Sequence, residues 1–78
     1  MDRTQTNTVA LRSAMAKAGL NKICQLSYAS GVNRNTVGGI VNGKIQPSAQ
    51  VIRRLTTALN LSPEEAGLIF LARNLLDA

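Results

Sequence analysis

A chain of 78 residues that is 45% hydrophobic and 3% aromatic makes one small domain, with a core built from leucine, isoleucine, valine and alanine. With no histidine, no tryptophan and one cysteine, Cys24, it excludes a histidine general base, a Cys/His zinc site and an internal disulfide, and the lone thiol suits a reducing cytoplasm. Nine basic against four acidic side chains leave +5, and the signs are segregated: Arg3, Arg12, Lys17, Lys22, Arg34, Lys44, Arg53 and Arg54 fall in a stretch from Arg3 to Pro63 without one acid. Such a field favours a polyanion, of which nucleic acid is the commonest; a merely soluble basic surface is the plainer alternative. No apolar run approaches the ~20 residues of a membrane helix, no signal peptide is evident, and neither a membrane partner nor a cofactor is expected.

Residues 1–8 are polar and without period, and read as a flexible arm. Thr8 is placed to cap a first helix running to Ala18, with Leu11, Met15 and Ala18 on one stripe. Gly19 stops it. Asn21 caps a second helix, Lys22 to Ser30, and Gly31 turns the chain. Asn33 caps a third, Arg34 to Asn42, with Val37, Ile40 and Val41 inward. Gly38 and Gly39 each cost this helix about 1 kcal/mol against alanine, which implies a close approach to its backbone. After the Lys44–Pro47 loop, Ser48 caps a fourth helix, Ala49 to Asn60, burying Val51, Ile52, Leu55, Ala58 and Leu59. Ser62, Pro63 and Glu65 then form a strong start signal for a fifth, running to about Leu76. The expected fold is all-α, five helices in a single domain over residues 9–78.

Helices two and three have the spacing of a helix-turn-helix. Ser27 is small where the backbones cross, Gly31 is permissive at the turn, and Leu26, Val32, Val37 and Ile40 anchor it on both sides. The third helix then presents Arg34 and Asn35 in its first turn. Arginine pairs bidentately with guanine and asparagine with adenine in the major groove. A solvated helix start is the plainer reading of the same two residues.

Residues 9–62 resemble the lambda-repressor-like helix-turn-helix family, of the Cro/repressor or XRE type. The resemblance is carried by KICQLSYASGVNRNTVGGIVNG, whose tail VGGIVNGK is close to the family's recognition-helix ending, and by Pro47-Ser48 and LTTALNL at Leu55–Leu61. It implies double-stranded DNA as the partner, read near the start of the third helix and again one turn on. Those places are Asn33, Arg34, Asn35 and Gly39. It also implies phosphate contacts from Asn42, Gly43 and Lys44, with Thr36 in the same set. The family's phosphate-gripping glutamine at the start of helix two is replaced by Ile23, so Lys22 is the expected substitute. Val41 stands where many relatives carry glutamate. Arg53 and Arg54 read equally as flanking phosphate contacts or as a solvated face, whereas Arg12 and Lys17 read as solvated surface, and Cys24 as a near-surface thiol.

The last helix is apolar on two faces, one with Leu68, Leu71 and Leu75 and the other with Ile69, Ala72 and Leu76. One face closes the core; the other is expected to form a twofold dimer, as the family often does. A stripe buried wholly within one chain is the alternative. The expectation is a cytoplasmic, nucleoid-associated DNA-binding regulator, a repressor acting by occupancy, dimeric on a palindromic operator and not an enzyme. The competing function is a protein–protein module, an antitoxin or coactivator adapter, with the last helix holding the partner.

Overall fold

The computed structural model describes residues 6–70. Five helices follow one another: α1 (Thr8–Lys17), α2 (Ile23–Ser30), α3 (Arg34–Val41), α4 (Ala49–Ala58) and α5 (Pro63–Phe70). Among the described residues there is no strand. Each helix is too short to persist alone in water, so their stability comes from the apolar faces they share. α2 packs on α3 and α4, α1 on α3 and α5, and α4 on α5.

The core is aliphatic, as the composition requires, with Phe70 as its one aromatic ring among the described residues. Leu11, Leu26, Val37, Ile40, Leu55 and Phe70 are almost wholly removed from water. Ala14, Met15, Val32, Val41, Ile52, Leu59, Ala66 and Ile69 complete the buried cluster. On α1 the inward stripe is Leu11, Ala14 and Met15; Ala18, expected there, is exposed.

The helix starts refine the sequence reading. α1 is capped by Asn7, whose side-chain oxygen accepts from the Ala10 N–H at 3.1 Å, and Thr8 is the first helical residue. The Asn7 N–H also donates to the Ile69 carbonyl. Residues 6–8 therefore belong to the folded unit and not to an arm; Arg3 lies outside the described residues. α2 begins at Ile23, not Lys22, because Gln25 reaches back to accept from the Lys22 N–H at 3.0 Å. Ser48 caps α4 as expected, accepting from the Val51 N–H. The reciprocal box at α5 is complete, with Ser62 N–H to Glu65 at 2.9 Å and Glu65 N–H to the Ser62 hydroxyl at 3.1 Å. The expected stretch of this helix past Phe70 lies outside the described residues.

Candidate nucleic-acid interface

The turn between α2 and α3 is held by serine hydroxyls. Ser27 Oγ donates to the Val32 carbonyl. Ser30, the one buried polar residue among those described, donates to the Leu26 carbonyl at 2.7 Å and accepts from the Val32 N–H at 3.2 Å. Ser27 thus does more than stay small at the crossing. Gly31 adopts φ +74°, the left-handed region where a side chain is costly. These contacts fix Val32 in the core and aim the start of α3 outward.

The exposed side chains then gather. A single groove beside α3 is lined by Lys22, Ile23 and Cys24 from the start of α2, and by Arg34, Asn35, Gly38, Gly39, Asn42 and Lys44. Three of these carry positive charge and none is acidic. The described carboxylates, Glu64 and Glu65, sit at the start of α5 and do not line the groove. The arrangement puts cations and the exposed Arg34 and Asn35 side chains on one surface, which is what a phosphate backbone flanking readable base edges calls for.

Residues 9–68 match the family described as the helix-turn-helix domain. The chain belongs to that family. In DNA-binding helix-turn-helix proteins the second helix of the pair enters the major groove; the corresponding helix here is α3. No curated protein and no solved structure matches the chain. Among the described residues, no helix is long and apolar enough to cross a membrane.

Within this helix-turn-helix the expected site residues divide. Lys22, Arg34, Asn35, Asn42 and Lys44 come together as one surface. Asn33 is exposed, but its side-chain oxygen accepts from the Asn35 N–H at 2.7 Å. It caps α3 through that oxygen, which ties the side chain to the helix start. Gly39 needs correction. A Cβ there would overlap the side chain of Ile45, with Cγ1 at 2.5 Å, so the place of a side chain at 39 is filled and not open to DNA. Gly43 also needs correction as a phosphate donor, because its N–H already donates to the Ile40 carbonyl at 3.0 Å to close the helix. Thr36 is half-buried and does not line the groove. Arg53 and Arg54 lie apart from the groove. Arg53 lines an apolar cleft with Ile52, Thr56, Pro63 and Glu64, and the Arg54 guanidinium lies beside Gly31, 3.4 Å from where a Cβ would stand.

On α5, Leu68 is 69% exposed whereas Ile69 is buried in the chain's own core. The face that closes the core is therefore the one containing Ile69, which is removed from the set free to meet a partner. Leu71, Ala72, Leu75 and Leu76 lie outside the described residues. Two neighbours of the site escaped the sequence reading. Arg12 donates to the Asn42 side-chain oxygen at 3.2 Å, a contact without local signal. Ile45 covers Gly39; a glycine lacking a side chain, followed closely by a loop with one aliphatic residue, was the available clue.

Proposed function

We propose that this helix-turn-helix protein is a sequence-specific regulator of transcription that reads double-stranded DNA with α3. The observation that carries the reading is the acid-free groove lined by Lys22, Lys44 and Asn42 together with the exposed Arg34 and Asn35. In this reading Lys22, Lys44 and the Asn42 side chain hold phosphates, Arg34 and Asn35 read bases, and Arg53 and Arg54 add only to the long-range field. The domain represses by occupying a site that polymerase needs, without cofactor or catalytic step, in the cytoplasm at the nucleoid. The test is selection from random duplex DNA at near-physiological salt, then affinity for the winner and for a scrambled duplex. The expected ratio is about 10³ or more. Weak, salt-sensitive binding without any enriched sequence would overturn the reading in favour of an adapter or antitoxin.

The protein acts as a dimer on two half-sites about one turn of DNA apart. Exposed Leu68 supports this, as an apolar side chain left uncovered on the closing helix. Sedimentation of a monomer at high protein concentration would overturn the dimer without touching the DNA reading.

A further inference from the structure

We propose that Ile45 is a specificity-determining residue that contacts the C5-methyl group of a thymine. The inference rests on the reading that α3 enters the major groove.

Gly39 lies four residues beyond Asn35, hence on the same face of α3, and lines the same groove. A side chain at 39 would stand beside that of Asn35, one turn further along. That space belongs to Ile45: an added Cβ would lie 2.5 Å from its Cγ1, 3.1 Å from its Cβ, and in still closer overlap with its Cδ1. The loop is pinned there, because the Lys44 and Ile45 N–H groups both donate to the Gly39 carbonyl, at 2.7 and 3.1 Å. The side chain of a loop residue therefore stands in for the side chain the helix lacks.

Ile45 lies over the glycine without being buried. It is 42% exposed and takes no part in the core cluster, so packing leaves part of its aliphatic surface uncovered. Ile45 reaches that groove only over Gly39, and the groove's own lining is polar or cationic apart from Ile23, Cys24 and the glycines at 38 and 39. If α3 enters the major groove, an uncovered branched aliphatic group lying over Gly39 has one apolar counterpart on the edge of a base pair, the thymine methyl. Covering a methyl group is worth about fourfold in affinity.

The test deletes that methyl from the DNA and leaves the protein intact. In the selected duplex each thymine is replaced in turn by deoxyuridine, and binding of the unaltered chain and of Ile45→Ala is compared. The expected result is one position per half-site where uracil weakens the unaltered chain about fourfold and leaves Ile45→Ala unaffected. Gly39→Ala, which pushes Ile45 from its seat, is expected to lose the same dependence. A selected site without thymine, or uracil effects identical in the unaltered chain and both variants, overturns the role of Ile45 while the DNA reading stands. Failure to select any sequence overturns both.

Discussion

The Arg12 guanidinium donates to the Asn42 side-chain oxygen at 3.2 Å, joining the exposed side of α1 to the residue that closes α3. Arg12 and Lys22 line one cleft with Asn42, so the contact brings two cations to the rim of the groove. A phosphate seated there would meet charge from two helices. Arg12→Ala is expected to weaken binding to cognate and random DNA by the same factor and to reduce the salt slope by about one. Its melting temperature should hardly move, as for most exposed substitutions. A loss confined to the cognate duplex would contradict this assignment.

Arg34 and Lys44 line the same groove in different places, one in the first turn of α3 and one beyond its end. Arg34→Ala should cost about 1–3 kcal/mol on the cognate site and relax one base position. Lys44→Ala should weaken all sequences alike. Affinities measured on cognate, single-substituted and scrambled duplexes separate the two; equal losses for Arg34→Ala on every duplex would remove it from the base-reading set.

The two adjacent glycines of α3 differ in what they tolerate. A Cβ at Gly38 would meet Ile23 at 3.6 Å, an ordinary contact. Gly38→Ala is therefore expected to raise stability by about 1 kcal/mol, the helix-propensity difference. Gly31→Ala should lower it by about 1–2 kcal/mol, because its φ of +74° is unfavourable for a side chain. Denaturant unfolding of both variants gives the comparison, and a destabilised Gly38→Ala would refute it.

Glu65 is held below the usual carboxylate value of 4.5 by the Ser62 backbone N–H first and the Ser62 hydroxyl second. A carboxylate lowered in the folded state stabilises it above the unfolded value, and that contribution disappears as pH falls through the lowered value. Glu65→Gln keeps an oxygen acceptor and removes the titration. The unaltered chain should melt above this variant near neutrality and lose that lead as pH falls through the lowered value. Parallel melting curves across the acid range would show that the box owes nothing to charge.

Much of this architecture is local and was legible. Ser62 and Glu65 announce α5, Ser48 announces α4, and Leu26, Val37, Ile40, Ile52 and Leu55 show their burial by helical spacing. What was not legible depends on contacts between distant residues. Thr8 and Asn7 are both able caps, and the Asn7 N–H finds its acceptor on Ile69, at the other end of the chain. Gly38 and Gly39 look equivalent until the Lys44–Ile45 backbone folds onto one of them. Gly43 resembles a phosphate donor until its N–H is seen to be spent on Ile40. Arg34 and Asn35 were readable from residue type and turn spacing, whereas Lys22, Asn42 and Lys44 came from the family resemblance; which of the donors remain free was readable from neither.

The bond from Asn7 to Ile69 has a topological consequence. It seats the entrance to α1 on α5, so the packing contacts of the five helices close into a ring, and only the covalent chain is open between the last helix and the first. A ring can be opened elsewhere. With a short linker joining the stretches that precede Asn7 and follow Ile69, new termini cut in the exposed bend at Asn60 would leave the α2–α3 pair continuous and its neighbours in place. The order of the helices along the chain is then separable from the surface they assemble.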